Sequence, residues 1–160
     1  MKSLLVKLSL LQCLALAALF GAHAGAFADT SAHGAICRPA GTADGNNVFL
    51  APNVSGVSNL SLVTLTVVCP VVRAALPPST GFTVWVDGYS GVNTAICALY
   101  SRDYRNVLLG SVSAIGSSVF DMNLTLPAAQ VPMYSSQVVV CQLPSGGAIW
   151  DIEPMVGSSS

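Results

Sequence analysis

After Lys7 the chain has no lysine. Charged residues make up only 8% of its 160 positions, and histidine occurs twice, as His23 and His33. Without a basic stripe there is no electrostatic footprint for nucleic acid or anionic lipid. No Cys-x-x-Cys pair or Cys/His cluster is present, which argues against a zinc site. No glycine-rich loop with phosphate-binding spacing occurs, so no cofactor suggests itself. A serine hydrolase with its base after the nucleophile needs a late histidine, and none follows His33. Beyond the first 28 residues no stretch carries a helical period, so helix-based architectures are excluded as well.

What is present begins with a processing signal. Lys2 and Lys7 form a basic head, Leu8 to Phe20 is apolar apart from Ser9 and Gln12, and Ala26-Phe27-Ala28 is a small-x-small cleavage site. The apolar core is short for a membrane span. Gln12 before Cys13 does not fit a lipoprotein signal, which wants a small residue there. Residues 1–28 are therefore expected to be a cleaved signal peptide, 29–157 one domain, and 158–160 a loose tail. Removing 28 of 160 residues leaves 132, enough to bury a real core. That mature chain carries four arginines (38, 73, 102 and 105) against six aspartates and one glutamate, 4 − 7 = −3. The expected location is secreted or periplasmic, with no transmembrane anchor in the mature chain.

The mature chain reads as β throughout. Asn59 to Arg73 is the longest run rich in Val and Thr, and it is expected to be one central strand covered on both sides. Val63, Leu65, Val67, Cys69 and Val71 share one of its faces. Shorter strands are expected at Ala35–Cys37, Val48–Leu50, Phe82–Asp87, Thr94–Ser101, Val107–Ser113, Val119–Leu126, Ser136–Leu143 and Ala148–Glu153. In Val119–Leu126 the alternation is cleanest, with Phe120, Met122, Leu124 and Leu126 inward. Pro77-Pro78 lies in a connection that cannot continue a ladder and should pass to another sheet. In the last strand Trp150 and Ile152 are expected inside. About eight short strands separated by turn signals predict an antiparallel β-sandwich or jelly roll.

Four cysteines, Cys37, Cys69, Cys97 and Cys141, remain after cleavage, and an even number in an exported chain reads as two disulfides. Three pairings are possible. Strand placement favours Cys37 with Cys69, tethering a short first strand, and Cys97 with Cys141, two inward thiols brought together by facing sheets.

Candidate chemistry is sparse. Asp44 and Asn46 begin a calcium-loop pattern, but Phe49 and Ser55 stand where its glycine and glutamate belong, so a plain turn is expected and no metal site. Gly88-Tyr89-Ser90-Gly91 resembles a nucleophile elbow with the second glycine one position early, and a turn explains it. Asp121, Asp151 and Glu153 fall on wet strand faces and Asp87 and Asp103 at turns, so no catalytic residue is assigned. Asn53, Asn59 and Asn123 open glycosylation sequons, which the bacterial look of the leader makes irrelevant. Trp85, Tyr89 and Tyr104 are the possible ligand-binding residues, since exposed aromatics can stack on sugars. The competing reading, favoured for Trp85, is that it covers the second sheet.

At Asn59-x-Ser61, Val67-Val68-Cys69-Pro70-x-x-Arg73 and Cys141-Gln142-Leu143-Pro144 the chain resembles small secreted bacterial all-β proteins with no assigned function. The resemblance covers most of the mature chain and implies a disulfide-bonded exported fold, without an activity. The expected function is an exported, non-enzymatic β-sandwich at the envelope or outside the cell, with a glycan or an envelope protein as partner. A carbohydrate-binding module is the alternative, and a small carboxylate-based hydrolase a third.

Overall fold

The computed structural model describes residues 32–33, 36–41, 48–50, 56–72 and 81–155. The leader, residues 42–47, Arg73, Pro77-Pro78 and the tail, on which several expectations fell, lie outside the described residues. Eleven strands occur among those described: β1 (Ala32–His33), β2 (Arg38–Pro39), β3 (Val48–Leu50), β4 (Val57–Asn59), β5 (Leu65–Val71), β6 (Phe82–Tyr89), β7 (Ala95–Arg102), β8 (Leu108–Gly116), β9 (Val119–Leu126), β10 (Ser136–Leu143) and β11 (Ala148–Met155). One sheet runs β3-β4-β11-β6-β9, with β1 also on β11, and the other runs β2-β5-β10-β7-β8. All pairings are antiparallel. The two sheets share one core, to which β6 and β9 contribute Phe82, Val84, Val86 and Leu124, and β7 and β10 contribute Leu99, Val139 and Leu143. This is the antiparallel sandwich that alternating short strands call for.

The Asn59–Arg73 run is not one strand. Asn59 ends β4 in the first sheet, residues 60–64 bend, and Leu65 starts β5 in the second. Leu65, Val67, Cys69 and Val71 are buried as their alternation requires, whereas Val63 and Leu62 stand 62% and 95% exposed. A run of β-formers cannot reveal where a chain changes sheets, because both halves keep the same period. Nor is β5 central, since its outer neighbour β2 has only two residues. The connection after β5 does pass to the other sheet, because β6 lies in the first.

Other boundaries follow the same logic. Strands β9 and β10 begin and end where expected. Of the strand expected at Ala35–Cys37, the described Ile36 and Cys37 lie outside any strand, and pairing falls on either side, at Ala32–His33 and Arg38–Pro39. Strand β8 starts at Leu108 and runs on through Ile115 and Gly116, past the end expected at Ser113. In β11 the register slips between Ile149 and Asp151, so Ile149 and Ile152 are both fully buried and Trp150 is only half-buried. A β-bulge adds one residue and resets the alternation, which displaces Trp150 from the interior position expected for it.

Both disulfides are formed, Cys37–Cys69 and Cys97–Cys141. The first secures the segment leading into β2 against β5. The second joins neighbouring strands of one sheet: Cys97 on β7 and Cys141 on β10 are direct register partners. The facing-sheet rationale for that pair was therefore wrong, although the pairing is the one expected. Inward-pointing thiols identify a face, and only strand order says whether they sit beside or across from each other.

Candidate functional site

Because Phe82, Val84 and Val86 fill the core, Thr83, Trp85, Asp87 and Tyr89 lie on the opposite, outer face of β6. Trp85 therefore does not cover the second sheet. Asp87 is a mid-sheet residue rather than a turn residue, and Tyr89 closes the strand at 41% exposure. The neighbouring strands set the register rows across this face. Glu153, Trp85 and Asn123 form one row, and Asp151, Asp87 and Asp121 the next. Directly opposed side chains in such rows are neighbours, so three carboxylates stand in line beside the row holding the indole.

Trp85, Asp87, Asp121, Glu153 and Met155 line an open depression of about 260 Å³. One of its sides is stiffened by a short hydroxyl relay. The Thr83 hydroxyl lies 2.9 Å from that of Thr125, which donates to Asn123 Oδ1 at 2.7 Å. Asp151 is held in place because its Oδ1 accepts the Ile152 N–H at 2.8 Å. Among the described residues no cluster of His, Cys, Asp or Glu is arranged to hold a metal ion.

Electrostatics set Asp87 apart. Burial raises its pKa above the ordinary 3.8, and the charge of Asp121, a side-chain hydrogen bond with Asp121 and the charge of Asp151 push the same way. A carboxyl whose folded pKa is raised favours the fold below its unfolded pKa, and that benefit is lost as pH rises through the folded value. Asp87→Asn should therefore raise thermal stability at neutral pH. The gain over the parent should shrink to nothing below about pH 4, where the unfolded carboxyl also protonates. Melting curves of both proteins across that range measure it, and a gain independent of pH would refute the assignment.

Tyr104 is not part of this face. It sits in the turn between β7 and β8 of the other sheet, 78% exposed, with the Arg105 guanidinium 5.1 Å from its ring centre. Asp103 is structural in that turn, accepting the N–H groups of Arg105 and Val107 at 2.8 Å each. Ser90 is buried and its N–H donates to the Ser118 carbonyl, as befits a turn rather than a nucleophile. Gly88 sits where Phe120 crosses the sheet: a Cβ there would overlap the Ala148 carbonyl and come within 2.6 Å of the Phe120 ring. The acidic row itself escaped the sequence reading. Each acid was visible as outward or turn-borne, but the row depends on the pairing of β6 with both β9 and β11.

No family model matches the chain, and no curated protein matches it. Among solved structures it is similar to TmCBM61, a carbohydrate-binding module solved in complex with β-1,4-galactotriose, with TM-score 0.44 and 15% identity over 82% of this chain and 90% of that one. It is also similar to part of the enzymatically active domain of bacteriophage CBA120 tailspike protein 4, with TM-score 0.47 and 15% identity over 71% of this chain. This chain spans 17% of that one. At these scores neither likeness assigns a function.

Proposed function

We propose that the protein is an exported, non-enzymatic glycan-binding β-sandwich whose sugar site is the outer face of β6, β9 and β11. The observation that carries this reading is Trp85 on a solvent-facing sheet, bordering a depression with Asp87, Asp121 and Glu153. An indole face packs against the C–H side of a sugar ring, and carboxylates accept hydrogen bonds from its hydroxyls. The size and openness suit one or two ring units at the surface rather than an enclosed cofactor. The described residues that line the depression include three acids and no cation, so the ligand is a neutral or amino-bearing sugar. Tyr89, four residues along the same face, extends the surface for a longer chain.

Binding rather than hydrolysis is supported by the openness of the face, which excludes no water from the acids. Export is supported by the leader-like residues 1–28 and by two disulfides, which persist in oxidising compartments.

An array of neutral, amino-bearing and acidic oligosaccharides tests this. Saturable binding to the first or second class is expected, with Trp85→Ala weakening it by about 2 kcal/mol, roughly thirtyfold, as for a central aromatic contact. Trp85→Phe should retain much of the affinity. Absence of binding to any glycan, or binding indifferent to Trp85→Ala, would reject the site. Turnover abolished by Asp87→Asn or Asp121→Asn would replace binding with hydrolysis.

A further inference from the structure

The two sheet paths end at β2, β3, β8 and β9, and three of these edges are blunted. Strand β2 is only Arg38 and Pro39, and β3 has three residues. Strand β9 carries Asp121 and Asn123 exposed on its outer face. Short edges, prolines and charges keep foreign strands from adding to a sheet. Strand β8 is nine residues long and has neither a charge nor a proline. Its one register slip falls at Leu109, near its start, and Gly110 to Gly116 pair regularly with β7. No strand pairs with its other side among the described residues. The chain is described without a break from residue 81 to 155, so no undescribed segment adjoins β8 or β7 in sequence.

The second disulfide identifies which backbone groups of β8 face out. Cys97 and Cys141 are register partners with Cα atoms 4.1 Å apart, the closeness of a pair that exchanges no backbone hydrogen bonds. The N–H and C=O of Cys97 therefore point away from β10, to Ala114 of β8. Alternation then sends those of Val112 and Ala114 to β7, and those of Ser111, Ser113 and Ile115 to the open edge. Among the described residues no turn or loop hydrogen bond reaches these edge groups.

We infer that β8 pairs antiparallel with the β8 of a second copy of this chain, about a two-fold axis at Val112. The strand reads nearly the same in both directions from that residue. Across the axis Ser111 meets Ser113, Gly110 meets Ala114, Leu109 meets Ile115, and Val112 meets its own counterpart. Hydrogen-bonding parity agrees, because Ser111 and Ser113 both aim their backbone groups at the open edge and can exchange both bonds. Moving the axis to Ser111 or Ser113 sets Leu109 or Ile115 against a serine. A strand from another protein needs no such symmetry in β8, so the near-palindrome favours its own copy. Side chains fit the same register. Val112 and Ala114 pack toward the core, while Ser111 and Ser113 are exposed and Ile115 is 70% exposed on the outer face. Pairing therefore lays two serine pairs between two aliphatic pairs, the kind of opposed neighbours that stabilise a sheet. One edge strand buries less than the standard interface of about 1,600 Å², so the dimer is weak and concentration-dependent. The inference does not depend on sugar binding.

Sedimentation velocity tests it, using the chain recovered after export with its N-terminus checked by mass spectrometry. The parent should be dimeric at about 0.5 mM and monomeric at about 1 μM, as a small interface implies. Ser113→Pro removes an outward N–H and leaves the ladder with β7 intact, and it should weaken self-association at least about tenfold. Ser111→Lys brings two cations together across the axis and should weaken it by about as much. Ser111 is exposed, so the lysine variant should keep the parent's melting temperature. Register is read by cross-linking. Val112→Cys should form a disulfide-linked dimer under mild oxidation, because the opposed Cα atoms stand about 4.5 Å apart on the axis. Ile115→Cys should not, since its counterpart lies several residues away along the strand. Trp85→Ala should dimerise like the parent, which separates this edge from the sugar site. A parent that is monomeric at the higher concentration, whether or not an added strand peptide of other sequence binds β8, would overturn the inference. So would a dimer indifferent to both serine variants, or Ile115→Cys cross-linking as readily as Val112→Cys.

Discussion

Replacing both disulfides, as the quadruple Cys37→Ala/Cys69→Ala/Cys97→Ala/Cys141→Ala variant, should leave the chain unfolded or barely folded at room temperature. The bonds close separations of 32 and 44 residues. On the chain-entropy model each contributes about 4 kcal/mol by restricting the unfolded chain. Together that is comparable to the whole stability of a typical domain, about 5–15 kcal/mol. The two losses should differ in kind. Without Cys37–Cys69, the two-residue β2 has little else to hold it against β5, so early loss of that edge is expected. Without Cys97–Cys141, the continuous ladder between β7 and β10 remains, but the void lies in the core, where both sulfurs are fully buried. Urea titrations of the two double variants should show lower midpoints, each by several kcal/mol once converted through the slope. Because both bonds are buried, reductant should act on the parent slowly in buffer and quickly near the urea midpoint. Rapid reduction of the native protein with no loss of structure would contradict this account.

What the sequence made legible follows from the range of each signal. Alternation is local, so the inward faces of β9 and β10 could be read residue by residue, as could the fold class. Strand order is not local. Nothing in the neighbours of Cys97 and Cys141 distinguishes a partner beside from a partner across, and nothing around Asp87 announces Asp121 on one side and Asp151 on the other. The bulge at Trp150 was hidden because the residues on either side of it, Ile149 and Asp151, mimic a regular period. Trp85 shows the consequence for function. Its outward direction was legible, but whether a second layer covered it depended on which face of β6 met the other sheet. The motif residues Asn59, Ser61, Leu143 and Pro144 had looked like separate punctuation 80 residues apart. In the structure they are one hydrogen-bonded node, and that node is where the long β-run breaks.

Asn59→Ala should destabilise the protein by about 3–5 kcal/mol, a large effect for a single polar residue. Asn59 is 1% exposed, and its Nδ2 donates to the carbonyls of Val63 and Leu143 at 2.8 Å and of Pro144 at 3.0 Å. Its Oδ1 accepts the Ser61 N–H at 2.9 Å and the Ser61 hydroxyl at 2.7 Å. One side chain thus turns the chain out of β4, closes the 60–64 bend and fastens both to the turn between β10 and β11. The same engagement makes Asn59 unfit as a glycosylation acceptor, since its amide nitrogen is buried among three carbonyls. Truncation to alanine strands the buried Leu143 and Pro144 oxygens, and each lost donor costs its desolvation. Ser61→Ala removes only the exposed half of the arrangement and should cost about 1 kcal/mol. The isosteric Asn59→Asp discriminates further. It keeps Oδ1 but points a second oxygen at three carbonyls, so its carboxyl should titrate well above the ordinary range. A group whose folded pKa is raised loses its contribution as pH rises through that value. Asn59→Asp should accordingly recover stability between neutral pH and about pH 4, where the protonated carboxyl can donate again, while Asn59→Ala should show no such recovery. Denaturant midpoints for the three variants at both pH values decide it, and an Asn59→Asp protein as stable as the parent at neutral pH would remove Asn59 from the centre of this node.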